Sequence, residues 1–319
     1  MNALFTQIKY EIEEFNVTKD SIESIFIGGG TPSTINPKLY SKIFNYLQPY
    51  IMSNCEITTE ANPNSATQNW LKGMKELGVN RISFGVQSFD NKKLKALNRN
   101  HNRDEAIGAI NMAKDVGFKN ISLDLIYNFK TDTKELMLSD INQAFQLDIN
   151  HISAYELTIE DGTKFALTPE IRKDDFNIAK FVSDEIRKRG FTQYEISNYG
   201  LYKSIHNRGY WFLKDYIGAG AGAVGFKNNQ RFYPSKDIDL YIKNPLFKSI
   251  EDITPSDILF EKLFLGFRSE VGVDRDILTS NMQKQADFLV LNSKIYLKNN
   301  RYYNNDYFLS DEIVLYITQ

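Results

Sequence analysis

Leu4, Phe5, Ile8, Ile12 and Phe15 recur at helical spacing, so the chain is predicted to open on an amphipathic helix. A short apolar strand over 25–27 follows, then a helix around Leu39, Ile43 and Leu47. The pattern continues with strand 56–59, a helix around Trp70, Met74 and Leu77, strand 81–86, and helices near 90–97 and 103–116. Strand 119–126, helix 132–146, strand 151–157 and helix 174–189 come next, and a strand-like run from Thr192 to Ile196 ends the series. Strand alternating with helix predicts parallel βα units. A glycine-rich stretch, Gly218 to Gly225, closes this region, and an Asn-, Lys- and Pro-containing connection occupies 227–248. The remainder reads as helices around Leu259, Leu263 and Phe267 and around Ile277 and Met282. Short strands at Ile295-Tyr296-Leu297 and Tyr303 and an amphipathic run from Ile313 to Ile317 complete it.

With 319 residues, 42% of them hydrophobic, the chain is long enough for one large domain and a smaller one. Lysine and arginine number 38 and aspartate and glutamate 40, giving −2 by difference. No basic surplus points to nucleic acid, and no lysine-arginine tract suggests a membrane-surface anchor. No signal peptide and no bilayer-length apolar run is present, so a cytoplasmic protein is expected. The one cysteine, Cys55, excludes an intrachain disulfide and any cysteine-built metal centre within these residues. It reads as a small buried hydrophobe ahead of a strand.

Candidate chemistry gathers at the ends of the strands. Ile25-Phe26-Ile27 runs into Gly28-Gly29-Gly30-Thr31-Pro32, which brings bare backbone to the C-terminal rim of a sheet. Glu60-Ala61-Asn62-Pro63, Gln87-Ser88-Phe89 and Asp124 likewise sit at or near strand ends, where barrel folds place ligand chemistry.

The strings GGGTP, EANP, NRISFGVQSF, DLIY, HISAYELTIEDGT, YEISNY, HNRGYW and DYIGAGAGAVG together resemble the radical-SAM superfamily. The likeness is to its coproporphyrinogen-oxidase-like branch, closest to the heme-chaperone (HemW) subgroup, and runs from about Leu4 to Gly225. It implies a partial parallel (β/α) TIM-like barrel over 1–226, with its first strand missing, and a small winged-helix-like domain within 227–319. For S-adenosylmethionine it implies backbone contacts from Gly29, Gly30 and Thr31, ribose contacts from Glu60, carboxylate capture by Arg99, and pocket lining by Gln87 and Asp124. A carboxylate accepts from two hydroxyls and a guanidinium meets a carboxylate as a fork, so these assignments are chemically apt.

The family also carries a first strand and a CxxxCxxC loop that binds a [4Fe–4S] cluster; those ligands are absent from this sequence, so reductive cleavage of S-adenosylmethionine is not expected of it. His206, in HNRGYW, is implied as a ligand to heme iron, with Tyr210 and Trp211 beside the macrocycle and Arg208 near a propionate. His101 and His151 read as structural or pocket-lining. The implied partners are heme and a heme-acceptor protein, with a dimer as a further expectation. The alternatives are a truncated form of an intact oxidoreductase of this branch and an inert remnant. One departure stands out: Asn128-Phe129-Lys130 replaces the family's usual glycine-leucine-proline turn, so a changed local backbone is expected there.

Overall fold

The structure is a computed structural model that describes residues 1–159, 162 and 164–319. Glu160, Asp161 and Thr163, at the end of the HISAYELTIEDGT string, lie outside the described residues. The elements run in the order α1 (Asn2–Glu14), β1 (Ile22–Ile27), α2 (Ser41–Leu47), β2 (Ile51–Ala61), α3 (Gln68–Glu76), β3 (Arg81–Gln87), α4 (Asn91–Ala96) and α5 (Arg103–Val116). Then come β4 (Asn120–Tyr127), α6 (Lys134–Phe145), β5 (His151–Glu156), α7 (Phe176–Lys188), β6 (Thr192–Gln193), β7 (Asn198–Gly200) and α8 (Ile205–Trp211). The last part holds β8 (Gly225–Lys227), β9 (Gln230–Pro234), α9 (Ile238–Lys243), β10 (Lys248–Asp252), α10 (Pro255–Phe267), β11 (Val273–Asp274), α11 (Ser280–Leu291), β12 (Ile295–Lys298), β13 (Arg301–Asn304) and α12 (Ser310–Thr318).

Two compact units result. One comprises Ser24–Leu39 and Glu56–Lys203, the other Met1–Glu23, Tyr40–Cys55 and Ser204–Gln319.

The first unit is built on a curled, half-barrel sheet of seven strands in the order β1-β2-β3-β4-β5-β7-β6. Strands β2 to β5 pair in parallel, as the βα alternation predicts. The run from Thr192 to Ile196 behaves differently. It forms a hairpin whose second strand, β7, pairs antiparallel with β5. The reason is local: the Glu195 carboxylate accepts from Ser197 N at 2.8 Å and from Asn198 Nδ2 at 2.7 Å, folding the chain back on itself.

Side chains alternate across these strands. Ile82, Phe84, Val86, Leu123, Leu125 and Ile152 are almost wholly buried on the face covered by helices, where α5 packs on β3 and β4 and α7 on β4. Each such side chain contributes about 1.5–3 kcal/mol of burial. The opposite face carries Glu56, Thr58, Glu60, Arg81, Ser83, Ser122, Asp124, His151 and Ser153. The helices start where their sequences dictate. Asn102 and Glu105 form a reciprocal capping box on α5, and Gly117 ends it in the left-handed conformation at φ +92°. Cys55 is buried.

In the second unit, α1 departs from a simple apolar stripe. Its most buried residues are Gln7, Glu11 and Ile12. Gln7 bonds Gly218 O at 3.2 Å, Gly220 N at 2.9 Å and the Tyr241 hydroxyl at 2.8 Å. Glu11 pairs with Lys248 at 2.8 Å. Satisfied polar groups can therefore occupy positions that periodicity reserves for apolar ones. The 227–248 connection is structured: β8, β9 and β10 form an antiparallel sheet in the order β10-β9-β8. These strands are short and mostly half-exposed, which left no apolar run to read.

The C-terminal part packs α10, α11 and α12 against a second antiparallel sheet, β11-β13-β12, in a winged-helix-like order. Leu263, Phe267, Val273, Leu289, Tyr302 and Val314 lie in its core. Ile277 belongs to a short 3₁₀ turn ahead of α11 rather than to the helix.

Candidate functional site

The glycine loop after β1 places Gly29 at φ +73° and Gly30 at φ +63°, and a Cβ on either would meet open space. These two residues are glycine for backbone conformation, not for crowding. Gly29 N donates to Glu60 Oε2 at 3.3 Å, so the loop and the end of β2 meet directly. Ser33 reinforces that contact: its hydroxyl accepts from Asn62 N at 3.0 Å and lies 2.6 Å from Ser65 Oγ. Thr31 Oγ1 turns back on the Gly30 carbonyl.

Arg99, Gln87 and Asn62 converge over β3. A Cβ on Gly85 would lie 3.0 Å from Arg99 Nη2, 3.1 Å from Gln87 Nε2 and 3.7 Å from Asn62 Oδ1. A side chain here would press on that convergence, and the tips of Arg99 and Gln87 would have to give by a few tenths of an ångström. Arg99 Nη2 donates to Gly85 O at 3.3 Å, while its buried Nε has no hydrogen-bond partner among the described residues. A buried guanidinium nitrogen without an acceptor costs free energy until a ligand oxygen supplies one. Gln87 sits at φ +69°, a left-handed conformation unusual for its type, at a register shift between β3 and β4. The loop beyond it is clamped from α6, because Asp140 accepts from Ser88 Oγ at 2.6 Å and Phe89 N at 2.7 Å.

Asp124 completes the rim. Ser83 Oγ donates to it at 3.4 Å. Burial first, and the Glu60 charge second, push its carboxyl up to about 7, against the pull of Arg81 and the hydrogen bonds from Ser153 and Ser83. Burial lowers the Arg99 pKa, with the Asp124 charge opposing. Gly29, Gly30, Thr31, Glu60, Gln87, Arg99 and Asp124 thus belong to one connected rim of the first unit. Asn128, the first residue after β4, takes φ +63°, a left-handed conformation that asparagine tolerates.

The two other histidines are buried and hydrogen-bonded. His101 Nε2 lies 2.9 Å from Val86 O. His151, fully buried, bridges Ser122 Oγ at 2.7 Å and the Tyr194 hydroxyl at 2.6 Å. Burial and nearby Arg81 hold its pKa well below the usual histidine value.

His206 belongs to the second unit. Ser204 caps α8 by accepting from Asn207 N at 3.2 Å. His206 and Tyr210, one turn apart on the helix, are in edge-on contact at 4.7 Å, with Nε2 3.1 Å from the phenol oxygen. Burial, with Tyr216 adding to it, pushes the Tyr210 phenol up to about 12, so it is neutral at physiological pH. Arg208 Nε lies 3.2 Å from Glu270 Oε1. Residues 4–144 match the family model described as Radical SAM superfamily. Heme chaperone HemW of Lactococcus lactis is 32% identical over 291 residues, covering 86% of this chain and 75% of that protein. Its counterpart in Haemophilus influenzae is 34% identical over 311 residues, covering 90% and 80%.

The chain belongs to the HemW family.

The fold agrees with that membership. Escherichia coli coproporphyrinogen III oxidase (HemN), a radical SAM enzyme, superposes with a TM-score of 0.79 at 18% identity, covering 99% of this chain and 82% of that one. The superfamily's [4Fe–4S] cluster does not fit the donors present: the 319 residues include one cysteine, and among the described residues no group of three or more His, Cys, Asp or Glu could hold a metal ion. No helix among the described residues is long and apolar enough to cross a membrane. Along this rim, sequence reasoning missed Ser83, Ser153 and the position of Asn62 beside Arg99 and Gln87. The alternation of small polar with large apolar residues in Arg81-Ile82-Ser83-Phe84-Gly85-Val86 carried the signal.

Proposed function

We propose that this chain binds heme and passes it to an acceptor protein, using a radical-SAM scaffold whose rim retains S-adenosylmethionine contacts. The observation that carries the reading is His206 on α8 in hydrogen-bond reach of Tyr210, in a chain of the HemW family. A neutral imidazole is a good axial ligand for heme iron. In the other unit, the Gly29–Gly30 backbone would meet the methionine ammonium, Glu60 the ribose hydroxyls and Arg99 the carboxylate. The orphaned Arg99 Nε and the open space over Gly29 and Gly30 support that assignment. A cytoplasmic location, a dimer, and the division into a barrel over 1–226 and a C-terminal part over 227–319 belong to the same proposal.

Titration of the 319-residue chain with hemin is expected to give a Soret band that His206→Ala weakens by about tenfold or more, the scale of one lost coordinate bond. Equal binding by both proteins would remove His206 from the site. The same purified chain, supplied with a reductant, is expected to release no 5′-deoxyadenosine from S-adenosylmethionine; finding that product would overturn the non-catalytic reading.

A further inference from the structure

Tyr210 faces two ways. Its hydroxyl reaches His206, and its ring lines a cavity of about 530 Å³ together with Leu213, Tyr216, Phe260, Phe264 and Leu265. That volume falls within the roughly 300–1,000 Å³ of small-molecule sites. The charged residues of the lining, Arg231 and Glu261, pair with each other at 2.5 Å through Glu261 Oε1, while Glu261 Oε2 is buried without a hydrogen-bond partner among the described residues; the rest of the wall is rings and aliphatic carbon. The rings form a fixed corner: Tyr210 meets Tyr216 edge-on at 4.6 Å and 89°, and Tyr216 stacks on Phe226 at 6.0 Å. A corner of aromatic planes suits a flat, apolar-faced ring system. A sugar would find few hydrogen-bond partners here, and an anion would meet a cation already matched by Glu261. The imidazole beside one wall adds a metal ligand, which narrows the ring to one that carries a metal.

We propose that this aromatic cavity seats the apolar edge of an iron tetrapyrrole, with Tyr210 as a latch on the histidine. In the free chain the phenol holds His206 Nε2. When the ring enters, the phenol turns to water and the nitrogen lone pair is donated to iron, with no proton or electron lost from the pair. The propionates stay at the mouth in solvent. This rests on the heme-binding reading above and adds the seat, its wall residues and the part played by Tyr210.

The test is absorbance titration of the full chain with hemin and, separately, with iron-free protoporphyrin. Leu265→Trp, which fills the cavity, is expected to weaken both ligands about tenfold or more. Phe260→Ala removes a wall ring that is 49% exposed and so leaves the fold intact; it is expected to weaken both about three- to tenfold. His206→Ala should weaken hemin alone. Tyr210→Phe should bind hemin as tightly as the wild type or more so, because the latch is gone and the wall remains. Hemin binding that depends on His206 but ignores Leu265→Trp and Phe260→Ala would overturn the cavity while leaving the heme reading standing. Loss of hemin affinity in Tyr210→Phe would overturn the latch. A wild-type chain that takes up no hemin would end both.

Discussion

Lys93→Ala is expected to lower stability by about 3–5 kcal/mol, the usual cost of stranding one partner of a buried ion pair. Lys93 Nζ lies 2.8 Å from Asp132 Oδ1, with both side chains fully shielded from water, and donates to Ile126 O at 2.6 Å. Asp132 Oδ2 also accepts from Phe129 N at 3.0 Å, and Lys173 Nζ donates to the Asp132 carbonyl at 2.7 Å. The pair therefore clamps the turn that leaves β4 just beyond Asp124. Burial raises the Asp132 pKa although Lys93 pulls it down. Without Lys93 the native value climbs further above the unfolded one of about 3.9. A carboxyl raised in the native state stabilises it while protonated and loses that contribution as pH rises. The penalty of Lys93→Ala should accordingly be smaller near about pH 4 than near about pH 8, which urea melts at both values would measure. An equal penalty at the two would mean that the stranded charge is not its cause. Lys93→Met combined with Asp132→Asn should cost less than Lys93→Ala alone at the higher pH, since neither residue then brings a charge into the interior.

Arg99→Ala is expected to weaken S-adenosylmethionine binding by about 10–100-fold, the worth of a charge-assisted hydrogen bond to a carboxylate. Its Nη2 is held by Gly85 O, and Nε waits for an acceptor. The ligand bears a net positive charge from its sulfonium and ammonium groups, so it favours an ionised Asp124. With that carboxyl at about 7 in the free chain, affinity should rise from about pH 6 to about pH 8. In Asp124→Asn the rise should disappear. Calorimetry on the three proteins tests both statements. An unchanged affinity in Arg99→Ala would remove the guanidinium from the pocket. A rise that persisted in Asp124→Asn would assign the titration to another group.

Much of the barrel was legible because its strands are short apolar runs ending in chemistry-bearing residues, and its helices carry strong start and stop signals. Of the residues that the resemblance implies, Gly29 and Glu60 are in contact across 31 positions, Arg99 and Gln87 converge over Gly85, and Asp124 feels the charges of Glu60 and Arg99. What escaped reading did so for physical reasons. The β6–β7 hairpin turns on one carboxylate, Glu195, accepting two local bonds, which no periodicity reports. The burial of Gln7 and Glu11 rests on partners more than 200 residues away in sequence, which no local pattern reports. Asn128 takes φ +63° directly after β4, a backbone conformation that asparagine tolerates and that no hydropathy pattern reports.

The two faces of the parallel strands have a consequence for how such a molecule can change over time. Every second residue answers to the helices and every other one to whatever occupies the interior. A lineage could therefore rewrite Glu60, Ser83, Asp124 and Ser153 for a different guest without disturbing Phe84, Leu123 or Ile152. A change of guest and the survival of the scaffold are then separate events, because the residues that would carry each lie on opposite faces of the same strands.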